Sequence, residues 1–298
     1  MKAEQAPAEL LDDAALRAWP LPMPDDNGDK EQRGRVLVVA GSPQMPGAAV
    51  LAAVAALRAG AGKLTIATAA SIAAGVALAV PEARVLPLPE TAKGGLALNG
   101  VDELQPLLPG ACALLFGPGL QDEAAAIAFA CRLLPACGDL PVVLDAYGMS
   151  VVRQLPEGWP LAAQLALTPH AGEMASLAGA DKSAVQQQPQ TMAREAARRW
   201  QAVVALKGRQ THIAAPDGRL WRHDGGNVGL ATSGSGDTLA GLIAGLAARG
   251  APLPQACAWG VVLHARAGER LTRRLGPLGL LARELAGEVP DLLRELAG

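Results

Sequence analysis

Gly234-Ser235-Gly236-Asp237 stands directly before the apolar series Leu239, Leu242, Ile243 and Leu246, so a glycine-rich turn leads into a helix with one carboxylate at the junction. Glycines at 234 and 236 remove side chains where backbone N–H groups must approach an anion. The helix start adds the positive end of its dipole. This pattern suits a phosphate site with a base beside it. The same residues also read as a tight turn in which Asp237 only caps a helix, and other segments must decide between the two.

Three further segments carry polar groups. Lys207-Gly208-Arg209-Gln210-Thr211 joins an apolar run to a polar one, and its two cations with amide and hydroxyl donors suit the phosphates and ribose of an adenylate; an exposed basic turn is the plainer reading. In Leu167-Thr168-Pro169-His170-Ala171-Gly172-Glu173, Glu173 reads as a residue that caps a helix start. His170 reads as a ligand contact or a surface-loop histidine, while His212, His223 and His264 carry no such signal. Asp145 reads as a supporting or metal-water contact, or as a turn former. Gly41 to Gly47 contains neither GxGxxG nor GxxxxGK[ST], so a dinucleotide loop of the Rossmann type and a P-loop are disfavoured. Gly47 and Ala48 leave room there for a ligand to approach the backbone.

Positioning these groups requires a scaffold of alternating strands and helices. Val36–Ala40, Lys63–Ala67, Ala113–Phe116, Val142–Asp145, Gln164–Thr168 and Ala202–Leu206 are short apolar runs of the kind buried on both faces of a parallel sheet. Helical patterns fall at Leu10–Trp19, Ala48–Ala59, Asp122–Leu134, briefly after Asp145, from Gly172, and from Asp237 to the end. His212–Ala215 and Arg219–His223, parted by Pro216-Asp217-Gly218, read as a hairpin. Ser42, Gly117, Gly119, Asp145, His170 and Lys207 each follow a strand, and ligands of open α/β sheets bind beyond the carboxyl ends of the strands, so one cleft is expected.

The chain has 298 residues, half of them hydrophobic and 18% charged, which suits one large α/β domain. A formal net charge of −2 gives no electrostatic footprint for nucleic acid or an anionic membrane. Leu64 to Val80 lacks charges but ends at Pro81 and reads as a strand followed by a core helix, not a membrane span. Cys112, Cys131, Cys137 and Cys257 form no CxxC pair and are expected as buried free thiols. The first residues lack a cationic stretch followed by an apolar core, so no secretory signal is expected and the cytoplasm is the expected location.

Taken together, these segments resemble the ADP-dependent (S)-NAD(P)H-hydrate dehydratase family, of ribokinase-like fold. The resemblance rests on Arg35-Val36-Leu37-Val38-Val39-Ala40-Gly41-Ser42 with Gly47-Ala48-Ala49, Ala56 to Gly62, Gly117-Pro118-Gly119-Leu120, Leu144-Asp145-Ala146, Leu167 to Glu173, Lys207-Gly208 with Thr211, and Gly229 to Asp237. It covers nearly the whole chain. The chain departs from the family pattern at Ala171, where proline is usual, at Ser235, where threonine is usual, and at Tyr147, where a second Asp is usual.

The resemblance implies an α/β/α three-layer sandwich with a mostly parallel central sheet and no separate lid domain, spanning residues 34–298 behind an N-terminal arm, residues 1–33. It implies dehydration of (6S)-NADHX or (6S)-NADPHX with ADP or ATP as co-substrate and Mg²⁺ held mainly by phosphates and water. Asp237 would be the base, and Gly234, Ser235 and Gly236 the anion hole. Lys207, Gly208, Arg209, Gln210, Thr211 and Gly236 would hold the nucleotide, and Ala48, Gly119, His170 and Asp237 would border the hydrated dinucleotide. A separate NAD(P)HX epimerase and a homo-oligomer, such as a homotetramer, are the implied partners. A kinase of a small alcohol (sugar, hydroxymethylpyrimidine or thiazole) and a non-catalytic adenylate-binding protein are the competing expectations.

Overall fold

The computed structural model describes residues 7–23, 33–155 and 164–297. Most of the polar Asp25 to Arg33 run expected as a loop lies outside them. Within them, ten strands form one sheet: β1 (Glu9–Leu10), β2 (Arg35–Val39), β3 (Lys63–Ala69), β4 (Arg84–Leu88), β5 (Ala113–Phe116), β6 (Val142–Leu144), β7 (Leu165–Leu167), β8 (Val203–Leu206), β9 (Thr211–Ala214) and β10 (Leu220–His223). Their order is β1-β10-β9-β8-β7-β6-β5-β2-β3-β4, and every pairing is parallel except the two made by β9.

Alternate side chains of each strand enter opposite cores, as the two-residue period of a strand requires. Val36, Val38 and Leu115 face one core, and Leu37, Val39, Leu114 and Phe116 face the other. The first is covered by α1 (Asp13–Ala18), α2 (Pro46–Arg58), α3 (Ala73–Ala79), α9 (Ser235–Ala248), α10 (Leu253–Leu275) and α11 (Ala282–Ala297). The second is covered by α4 (Gly100–Leu104), α5 (Glu123–Leu133), α6 (Ala171–Ala178), α7 (Lys182–Gln187) and α8 (Pro189–Trp200). This is the anticipated α/β/α sandwich. From β2 the chain builds outward to β3 and β4, then returns to place β5 on the other side of β2. The β2/β5 junction is therefore the point where strand order reverses, and a crevice opens there at the carboxyl ends.

Several local expectations need correction. The segment after β3 is not a core helix: α3 buries only Ala73 and Val76, and Leu78 is among the most exposed apolar side chains. The short helix expected after Asp145 is present, as a 3-10 helix, Ala146–Arg153. β4 carries no clean strand signal because Pro87 interrupts it, which an edge strand tolerates. β1 is a two-residue pairing that ties the N-terminal arm to β10, with Leu16 of α1 fully buried behind it. Of the four thiols, Cys137 and Cys257 are buried, Cys131 is partly covered and Cys112 is exposed, because Cys112 precedes β5 and lies outside its buried run.

Candidate functional site

The site is built on α9. Gly234 serves as its N-cap with φ 86°, a conformation open to glycine but strained for other residues, and a Cβ there would lie 2.4 Å from Leu51 Cδ1. The turn therefore reaches α9 by a path that only glycine takes, and Asp237 falls in the first helical turn, where the N–H groups lack helical partners. Ser235 differs from its glycine neighbours. Its backbone N–H donates to Thr232 O at 3.2 Å and its buried hydroxyl meets His264, so its polar groups are turned into the protein.

Around Asp237 lie two more carboxylates and one ammonium. Asp145 is 3% exposed and accepts a 2.6 Å hydrogen bond from the Thr168 hydroxyl. Lys207 Nζ is 3.6 Å from Asp145 Oδ1 and 3.8 Å from Glu173 Oε2. A Cβ on Gly236 would lie 3.3 Å from that same ammonium, so Lys207 reaches under the glycine turn. Three carboxylates and one cation leave the cluster net negative. Burial, the Asp145 charge and the Glu173 charge raise Asp237, against the opposing pull of Lys207, to a pKa of about 7. A carboxylate held there is half ionised near neutral pH, which suits a general base.

That raised pKa has a consequence for stability. Between the ordinary carboxylate range and about 7, the folded chain keeps the Asp237 proton that the unfolded chain has lost, so stability falls as pH rises through this window. Replacing Asp237 by Asn removes a penalty of at most about 4 kcal/mol. Thermal unfolding should show the variant melting above the parent at about pH 8, with the gap closing near about pH 4.

His170 and Glu173 form the N-terminal cap of α6. His170 Nδ1 accepts from Gly172 N at 3.0 Å and Glu173 N at 3.2 Å, while Glu173 Oε2 accepts from His170 N at 2.8 Å. Glu173 thus caps as the sequence suggested, and it also belongs to the carboxylate cluster, which the sequence did not reveal. With Nδ1 accepting two bonds, the neutral ring carries its proton on Nε2. His170 therefore presents a donor.

Two cavities adjoin across the Lys207–Glu173 pair. The larger, about 750 Å³, is lined by Met45, Ala48, Gly119, Tyr147, Glu173, Ser233, Gly234 and Asp237, among others. Ala48 and Gly119 meet there because a Cβ on Gly119 would lie only 2.5 Å from Ala48 Cβ, a contact across the β2/β5 crevice. Tyr147 is 43% exposed on its wall, turned outward by Ala146, whose φ of 47° reverses the chain beside buried Asp145. The second cavity, about 670 Å³, is lined by Ala171, Lys207, Gly208, Arg209, Gln210 and His212, with apolar residues of α7 and β8. Thr211 begins β9 beside it. The first turn of α6 separates the two spaces, with Ala171 on one side and Glu173 on the other.

The arrangement can hold a long anionic ligand in one cavity and a nucleotide in the other, with a base and an anion-binding turn where they meet. Asp145 was expected in the cleft as a supporting contact or a turn former, whereas Thr168, Glu173 and His264 were not legible as members of this group, because nothing local in sequence ties them to residues 234–237.

A model of a protein family described as NAD(P)H-hydrate dehydratase matches residues 36–291. An ADP-dependent (S)-NAD(P)H-hydrate dehydratase from Xanthomonas campestris pv. campestris is 51% identical over 283 residues, 95% of this chain and 95% of that protein. A bifunctional NAD(P)H-hydrate repair enzyme from Moorella thermoacetica is 40% identical over 93% of this chain, which spans only 52% of that longer protein. Among solved structures, an ADP/ATP-dependent NAD(P)H-hydrate dehydratase from Bacillus subtilis, co-crystallized with ATP and Mg²⁺, superposes with a TM-score of 0.84 at 33% identity, covering 97% of this chain and 99% of that one.

Proposed function

From the premise that the chain belongs to the NAD(P)H-hydrate dehydratase family, we propose how its residues perform that chemistry. The enzyme is an ADP-dependent (S)-NAD(P)H-hydrate dehydratase of ribokinase-like fold, a hydro-lyase that repairs hydrated nicotinamide nucleotides. The observation that carries the mechanism is Asp237, which lines the larger cavity beside the glycine turn and close to Lys207, with its pKa raised to about 7.

In this reading the hydrated dinucleotide lies in the larger cavity along Ala48 and Gly119; His170 lines neither cavity and its Nε2 lies 3.6 Å from Glu173 Oε1, so it would meet only a part of the ligand that extends past Glu173. The adenylate of ADP lies in the second cavity along Lys207 to Thr211, and its terminal phosphoryl reaches the turn. Asp237 takes the proton of the C6 hydroxyl as that oxygen attacks the terminal phosphorus, and AMP leaves. The ring nitrogen then expels phosphate from C6 while C5 loses a proton, which restores the C5=C6 bond of the dihydropyridine. Backbone N–H groups of Gly234 and Gly236, on either side of the engaged Ser235, and the Lys207 ammonium stabilise charge on the transferring group.

The carboxylates of Asp145 and Glu173 share the single Lys207 ammonium, which offsets only part of their charge. That donor set fits a Mg²⁺ ion carried by phosphate oxygens and water, with Asp145 and Glu173 as the nearby protein oxygens. Bound this way, the ion would neutralise phosphate charge.

Because kcat/KM reports groups of the free enzyme, activity should rise with pH through about 7 as Asp237 ionises. Glu173→Gln keeps the cap acceptor but removes a charge that raises Asp237, so the acid limb of its profile should move to lower pH. An unmoved limb would separate the limb from Asp237.

Residues 34–298 act as the dehydratase domain with 1–33 as an arm, and the enzyme works beside a separate epimerase as a cytoplasmic homo-oligomer. Among the described residues no helix is long and apolar enough to cross a membrane. Phosphorus NMR of the reaction tests the assignment against a kinase. One AMP and one inorganic phosphate should appear for each NADH recovered, whereas an accumulating stable phosphate ester would mark a kinase.

A further inference from the structure

We propose that His264 is a positioning residue for the anion-binding turn: it fixes Ser235 and thereby aims the flanking backbone N–H groups at the transferring phosphoryl. The inference rests on the dehydratase reading for the identity of that phosphoryl.

His264 lies midway along α10, a helix whose other inward residues are mostly apolar. Its Nε2 is 2.9 Å from Ser235 Oγ and 3.0 Å from Ser235 O, so one ring atom meets both oxygens of one residue. Burial, aided by the Lys207 ammonium and opposed by the bond to the Ser235 carbonyl, pushes the imidazole down to about 4, so the ring stays neutral in the working range. A neutral ring beside Lys207 adds no charge to the net-negative cluster around Asp237.

Ser235 needs such an anchor. It sits between Gly234 and Gly236, the two residues least able to hold a backbone direction by themselves. Inside this Gly-Ser-Gly unit only Ser235 offers a side chain to grip, and α10 grips it through His264. Asp237 follows two residues later in the same helical turn, so a shift of the anchor moves both the anion donors and the base. Neither Ser235 Oγ nor His264 need touch substrate. The hydroxyl is turned toward α10, and the Ser235 N–H is engaged by Thr232 O.

The test compares His264→Phe, His264→Gln, Ser235→Ala and the His264→Phe/Ser235→Ala pair. Calorimetry gives ADP and AMP affinities, and steady-state assays give turnover. AMP lacks the phosphoryl that meets the turn. His264→Phe should therefore weaken ADP about tenfold and lower kcat about 100-fold, with AMP affinity changed less than about twofold. His264→Gln, which still reaches Ser235 with a polar atom, should recover part of both losses, and the double variant should be no worse than His264→Phe alone.

Equal weakening of ADP and AMP, or fully multiplicative effects of the two single changes, would overturn the proposal. If His264→Phe fails to fold, Ser235→Ala carries the test. A selective loss of ADP affinity supports the anchor, and unchanged ADP affinity and kcat refute it. Wild-type protein that binds ADP yet never dehydrates substrate would sink the dehydratase reading while leaving the ADP/AMP comparison legible.

Discussion

Asp237→Asn should lower turnover by about 10²–10⁴, the range lost when a positioned general base is removed. Asparagine is nearly isosteric and leaves the glycine turn and its helix intact, so ADP affinity should change little. The effect then belongs to kcat and not to binding. The same variant should be the more stable protein above neutral pH, since burial and the Asp145 and Glu173 charges disfavour the ionised carboxylate. Lost turnover with gained stability would mark a group kept for chemistry at a structural cost. If Asp237 served only as a helix cap, activity would persist and stability would fall. A non-catalytic adenylate-binding protein would likewise retain its nucleotide affinity and whatever function it served.

Gly241→Ala should cost about 3 kcal/mol or more in unfolding free energy, measured as a lowered urea midpoint. α9 crosses α2 so closely that a Cβ at Gly241 would lie 2.1 Å from Ala52 O, and one at Gly245 would lie 2.4 Å from Ala56 O. Backbone oxygen cannot yield as a flexible side chain can, so the helices must part. Activity should fall as well, because α2 carries Ala48 on one wall of the larger cavity and α9 carries Asp237 on another. Gly287→Ala is the control. It lies within α11 with nothing within 4 Å of a new Cβ, and alanine there should stabilise the helix by up to about 1 kcal/mol.

These effects also mark where the sequence was legible. The runs at Val36, Ala113, Val142 and Val203 are apolar on both faces, and nothing but a buried parallel strand suits them, so the sheet could be read strand by strand. The hairpin around Pro216-Asp217-Gly218 was readable from its turn residues. β4 and β1 were not, since an edge strand with Pro87 and a two-residue pairing owe their existence to neighbours distant in sequence.

At the site, Asp237 and its glycines announced themselves because their chemistry is local. Glu173 looked like a cap and is one; its second position, 3.8 Å from Lys207, depends on β7 and β8 lying side by side. His264 gave no signal at all, since its contact with Ser235 spans 29 residues and exists only when α10 packs on α9. The close crossing of α2 and α9 shows the same limit. A run of alanines reads as a helix, but the glycine positions that face it are paired only by the fold.

The most direct test of the central claim is incubation of the folded protein with (6S)-NADHX, ADP and Mg²⁺ while the NADH absorbance is followed. Recovery of that absorbance that requires nucleotide, and is abolished by Asp237→Asn, is the predicted result. No recovery with either ADP or ATP, or equal recovery without nucleotide, would contradict the account.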